Sequence, residues 1–173
     1  MKKIKEAILN SLETKLKIVK DPDILARIDW AGKLLITALQ KGNKVLIAGN
    51  GGSAGDAQHF AAELAGRFIH ERKGLPAIAL TANSSIVTAI ANDFGYEHVF
   101  SRQVEALGKN DDVFIGISTS GNSKNTILAA QTARQMGLQT IYLFNSGRSI
   151  WFLINMAKFL ILQKIRKMVH NCH

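Results

Sequence analysis

Cysteine is nearly absent from this chain: Cys172 stands alone. A single cysteine cannot pair within the chain, so no disulfide framework is available, which fits a reducing compartment. Long apolar runs are missing as well. Before residue 149 no stretch approaches the about 20 apolar residues of a membrane span, and no membrane partner is expected. The opening MKKIKEAILNSLETKLKIVK interleaves Lys and Glu with apolar residues, and no pure apolar run follows its Lys pair. It does not read as a signal peptide, and a cytoplasmic location is expected.

Acidic residues are missing from the second half. All 13 lie at or before Asp112, whereas Lys124, Arg134, Arg148, Lys158, Lys164, Arg166 and Lys167 follow it. The net charge of +9 is therefore local, because the chain up to Asp112 is close to balanced. The body shows no basic face interleaved with aromatics, so nucleic acid is not an expected partner. What is present is ordinary for one soluble domain: 173 residues, 47% hydrophobic and 20% charged. A chain of this length buries roughly two-thirds of its unfolded surface and needs no staples.

Periodicity predicts two leading helices. Ile4, Ile8, Leu9, Leu12 and Leu16 mark one apolar face. Asp21-Pro22-Asp23 interrupts the pattern and can cap a second helix, which Ile24, Leu25, Ile28, Leu34, Leu35, Ala38 and Leu39 carry to Lys41-Gly42. Short apolar runs then alternate with helical patterns. Strands are predicted at 44–48 (KVLIA), 77–80, 112–117 (DVFIGI) and 139–144 (QTIYLF). Helices are predicted at 53–68, 85–91, 99–107 and 124–136. This alternation implies a mostly parallel sheet covered on both faces, in an α/β fold of one domain.

In such sheets ligands bind beyond the carboxyl ends of the strands. Two strand-to-helix turns there have unusual composition. Gly49-Asn50-Gly51-Gly52-Ser53 follows KVLIA; its glycines allow positive φ and close backbone approach, and Ser53 can cap the next helix. Ser118-Thr119-Ser120-Gly121-Asn122-Ser123 follows DVFIGI. Four hydroxyls meeting a helix N-terminus suit an anion without Lys or Arg. Neither turn has the spacing of a dinucleotide fingerprint or a P-loop. A terminal phosphate on a sugar fits better than a polyphosphate with magnesium.

On the helix after the glycine turn, His59 and Glu63 are four apart and share a face. Such a pair can bind a metal together, or the carboxylate can act as a base beside the imidazole. It is equally the pattern of a surface ion pair. Asn92-Asp93-Phe94-Gly95-Tyr96, after a short helix, reads as a turn, or as an amide and a carboxylate, Asn92 and Asp93, for sugar hydroxyls.

The segments GNGGSAGDAQHFAAELAGRF and NDFGYEHVFSRQVEALGKNDDVFIGISTSGNS resemble phosphoheptose isomerase, a family of SIS-domain enzymes. The resemblance runs from about Lys44 to Phe144, with a compatible helical pair before it. It implies a flavodoxin-like, three-layer α/β/α SIS domain, assembled as a homotetramer. It divides the chain into N-terminal helices (1–42), a matching core (43–144) and a divergent tail (145–173). It implies interconversion of sedoheptulose 7-phosphate and D-glycero-D-manno-heptose 7-phosphate, for bacterial lipopolysaccharide or capsule. Asn50, Gly51, Gly52 and Ser53 match the family's substrate loop, Asn92 and Asp93 another substrate contact, and Ser118, Thr119, Ser120 and Ser123 its phosphate loop. His59 and Glu63 match zinc ligands, and Glu63 also matches a catalytic, substrate-binding carboxylate. The alternative function is a non-catalytic SIS protein that binds a phosphosugar or regulates a partner such as a replication initiator.

After Phe144 the resemblance fails. The family continues with a helix carrying Gln, Glu and His, which completes the zinc site and supplies the second acid/base group. Here NSGRSIWFLINMAKFLILQKIRKMVHNCH follows, and Gln163, His170 and His173 do not reproduce that spacing. The tail reads either as a genuine divergent end that makes an amphipathic helix or a membrane-surface contact, or as the product of a reading-frame change. The abrupt change in composition favours the second, with an incomplete zinc ligand set and reduced activity expected.

Overall fold

A computed structural model describes residues 1–66 and 71–144. The expectations about Phe68 and about the tail from residue 145, including Gln163, His170 and His173, lie outside the described residues.

The helical pair forms as its periodicity predicts: α1 spans Lys2–Lys20 and α2 spans Pro22–Gln40. Asp21 starts α2. Its carboxylate accepts from the amides of Asp23 and Ile24 at 3.0 and 3.1 Å, while Pro22 fills the first turn, where a missing N–H costs nothing. Helix α1 packs little of itself inward. Ile18 is its buried residue, whereas Ile4, Ile8, Leu9, Leu12 and Leu16 are exposed.

Strands β1 (Val45–Gly49), β2 (Ala77–Ala79), β3 (Val113–Ser118) and β4 (Gln139–Phe144) form one parallel sheet in the order β2-β1-β3-β4. Side chains alternate across it, as the pleat requires. Val45 and Ile47 join Val113, Ile115 and Ile117 under α2 and α3 (Gly52–Ala65). Leu46, Ala48 and Phe114 join the other cluster, under α5 (Ser101–Leu107) and α6 (Lys124–Gln135). The result is the expected three-layer α/β/α arrangement. It explains why β1 and β3 are apolar nearly throughout: both of their faces are buried.

At the amino ends of the strands Asp112 ties the sheet together. Its carboxylate accepts from the backbone N–H of Lys44 at 2.9 Å and of Lys109 at 2.8 Å, and it pairs with the Lys44 ammonium.

Two local expectations are corrected. Helix α4 runs Ser84–Phe94, past the predicted end at residue 91, so Asn92 and Asp93 lie in its last turn rather than in a loop. The break comes at Gly95, whose φ of 89° a side chain would resist. The helix predicted over 99–107 begins as a 3-10 turn, Tyr96–His98, before α5.

Candidate active site

Strand order reverses at β1: the chain passes from β1 to β2 on one side and places β3 on the other. The crevice beyond the carboxyl ends of β1 and β3 is where such sheets bind ligands. Both unusual turns open there.

The first turn is shaped by its glycines. A Cβ on Gly49 would lie 2.6 Å from the Ser53 carbonyl oxygen, and Gly51 takes φ 54°. The chain can therefore enter α3 at once, with Gly51 rather than Ser53 as the capping residue. Ser53 is instead buried in the first helical turn, and its N–H donates to the Asn50 carbonyl at 2.9 Å. Gly51 and Gly52 are exposed at the crevice.

Further along α3, Phe60, Ala61 and Leu64 face the sheet. His59 and Glu63 project from the same side of the helix, with Nε2 of His59 3.1 Å from Oε1 of Glu63. Glu63 is half-buried and His59 is exposed. Arg72 closes the end of this helix by donating to the carbonyls of Glu63 at 2.7 Å and Leu64 at 2.8 Å. Burial lowers the Arg72 pKa, and the nearby Glu63 carboxylate partly opposes that shift.

The second turn is a net of hydroxyls. Ser118 Oγ lies 3.0 Å from Ser123 Oγ and 3.5 Å from Ser120 Oγ. Backbone N–H groups of Gly121 and Asn122 donate to Ser118 Oγ and Ser120 Oγ at 3.1 and 3.2 Å. These two oxygens thus accept from within the loop, while each O–H remains a rotor that can turn to an incoming anion. Thr119 and Ser120 are exposed. Ser123 begins α6, which adds the favourable end of a helix dipole. Tyr142 lies on the neighbouring strand, opposite Gly116. Its hydroxyl is buried without a hydrogen-bond partner among the described residues; burial raises its pKa, and the nearby Ser118 offsets part of the rise.

Asn92 and Asp93 are exposed on α4 and bonded to each other at 2.9 Å. The segment is tied to the crevice by Tyr96, whose hydroxyl donates to Asn50 Oδ1 at 3.2 Å. Sequence reasoning gives no role to Tyr96, Asn125 or Tyr142. Asn125 is legible in principle, as a second amide two residues past the hydroxyl loop. The two tyrosines carry no signal, since register and packing alone bring them in.

The model of the SIS domain family matches residues 9–145, most of the chain. A phosphoheptose isomerase of Helicobacter pylori is 55% identical over 139 residues, which cover 80% of this chain and 68% of the relative. The chain belongs to the phosphoheptose isomerase family. A second member, from Clostridium acetobutylicum, is 52% identical over 138 residues, covering 80% of this chain and 70% of its own. The fold agrees with that of the solved phosphoheptose isomerase from Neisseria gonorrhoeae, at 34% identity, a TM-score of 0.84 and 98% coverage of both chains. Against this phosphoheptose isomerase background, the crevice at β1 and β3 is the candidate active site.

The group that the family resemblance implies is zinc. His59 and Glu63 have the donor types and the spacing to supply two of its ligands. Among the described residues no cluster of three or more His, Cys, Asp or Glu side chains could hold a metal. The described part of the site therefore fits two zinc ligands and no more.

Proposed function

We propose that this chain interconverts sedoheptulose 7-phosphate and D-glycero-D-manno-heptose 7-phosphate. The supporting observation is the hydroxyl net of Ser118, Ser120 and Ser123 at the crevice on the β3 side; Glu63, paired with His59, sits toward the far end of the helix that starts at the β1 side.

In this reading the phosphate is held by the hydroxyls of Ser118, Thr119, Ser120 and Ser123 and by the start of α6. That grip supplies remote binding energy to fix an open sugar chain. The exposed amides of Gly51 and Gly52, with Asn50 and Ser53 behind them, line the other side of the chain, and Asn92 and Asp93 meet its hydroxyls. Glu63 takes a proton from the carbon next to the carbonyl, and an enediol forms. Return of a proton to the adjacent carbon gives the other sugar. His59, 3.1 Å from Glu63, orients that carboxylate. Zinc, when bound at His59 and Glu63, would stabilise negative charge developing on oxygen.

The exposed apolar stripe of α1 supports assembly with further copies of the chain, as a homotetramer by the family resemblance. The same reading makes the chain a cytoplasmic enzyme supplying heptose for lipopolysaccharide. No helix among the described residues is long and apolar enough to cross a membrane. The non-catalytic regulatory reading is not favoured, because the relatives that this chain matches are phosphoheptose isomerases and the chain keeps the His59–Glu63 pair on α3. The test is an isomerase assay with sedoheptulose 7-phosphate and added zinc. Aldose product supports the reading, and binding without product would favour the regulator.

A further inference from the structure

The two loops of the crevice are joined by a single pair of side chains. Asn50 Nδ2 donates to Asn125 Oδ1 at 2.9 Å, and Asn125 Nδ2 donates back to Asn50 Oδ1 at 2.9 Å. Asn50 belongs to the glycine turn after β1, and Asn125 to the first turn of α6, 75 residues later. Asn125 is 4% exposed, so its amide is shielded from water. Its Oδ1 also accepts from the Thr126 N–H at 2.9 Å, which fixes the side chain to the helix start. Asn50 Oδ1 takes a second bond, from Tyr96 at 3.2 Å. Three segments, after β1, after α4 and after β3, thus converge on one carboxamide.

We propose that Asn125 is a positioning residue that sets the distance between the phosphate-holding hydroxyl loop and the glycine loop, and with it the length of sugar phosphate the crevice accepts. The physical reason is the reciprocity of the pair. A buried amide that both donates to and accepts from one partner has a single satisfied geometry, and losing either partner strands buried polar groups. The sugar must reach from Ser118–Ser123 to Gly51 and Gly52. An error in that span misplaces the reacting carbons while leaving the phosphate grip whole. This role rests on the function proposed above, in that it presumes a ligand spanning both loops.

The test has two arms, on the full chain and its Asn125→Ala and Tyr96→Phe variants. In the first, amide hydrogen exchange is followed by NMR without ligand, at Ser53 and Ala54, whose N–H groups donate to the Asn50 and Gly51 carbonyls. Asn125→Ala should speed exchange there by about tenfold, although the substitution lies in the other loop. Tyr96→Phe, a change at an exposed residue that spares the fold, should speed it by about threefold. In the second arm, sedoheptulose 7-phosphate and inorganic phosphate are titrated by calorimetry. Each variant should weaken the sugar phosphate several times more than inorganic phosphate. Exchange that changes only at 118–123, or equal losses for both ligands, would overturn the proposal. If the unaltered chain binds inorganic phosphate but no sugar phosphate, the proposed substrate falls, while the exchange arm still decides whether Asn125 couples the loops.

Discussion

Nε2 of His59 lies 3.1 Å from Oε1 of Glu63, one turn apart on α3, and these two side chains are the metal-binding types that the helix presents together. Catalytic zinc sites normally offer three protein ligands. With two, zinc should be held weakly. We predict clearly less than one zinc per chain after dialysis, measured by elemental analysis, and a further drop in His59→Ala. Near-stoichiometric zinc in the unaltered chain would mean that another residue completes the site.

The hydroxyl net should carry most of the grip on phosphate. Replacing Ser120 and Ser123 together by Ala removes two O–H donors and breaks the 3.0 Å contact to Ser118. Affinity for a sugar phosphate should fall by about 1–3 kcal/mol, as hydrogen bonds to a charged group are lost. Unchanged affinity in a calorimetric titration would move the phosphate site elsewhere.

Asp112 anchors the opposite end of the sheet. Asp112→Ala would leave two backbone N–H groups and the Lys44 ammonium without their acceptor. Stability should fall by about 2–4 kcal/mol in denaturant unfolding, with the hydroxyl loop still able to bind phosphate. A loss below about 0.5 kcal/mol would show that water replaces the carboxylate at little cost.

Tyr142 gives the fold an alkaline limit. Burial raises its pKa above the ordinary 10.0, so the folded chain holds the phenolic proton more tightly than the unfolded chain. The stabilisation is fully present below pH 10 and is lost as pH rises through the raised value. Tyr142→Phe should flatten this part of the stability curve, seen as a smaller fall in melting temperature above about pH 10. An unaltered slope would show that Tyr142 does not set it.

Much of the fold and of the site is legible in the amino-acid sequence. The four strands and the two unusual turns follow from apolar runs bounded by glycine and serine, because β1 and β3 are buried on both faces and tolerate little else. His59 and Glu63 follow from helical spacing. The end of α4 does not: Asn92-Asp93-Phe94-Gly95 has turn composition, yet the helix persists until Gly95 supplies a positive φ. The Asn50–Asn125 pair is hidden because its members are 75 residues apart and pair only once β1 and β3 are neighbours. Ser53 has the residue type of a cap, but the glycines ahead of it let the helix begin sooner.

The measurement that tests the account most directly is incubation of the chain with sedoheptulose 7-phosphate and zinc in deuterium oxide, followed by NMR. An enediol mechanism with Glu63 as base predicts aldose product and deuterium on the carbons that exchange the proton. Glu63→Gln should slow both by about 100-fold or more while still binding the sugar phosphate. Absence of deuterium from sugar that is bound by the unaltered chain, or full exchange in Glu63→Gln, would contradict it.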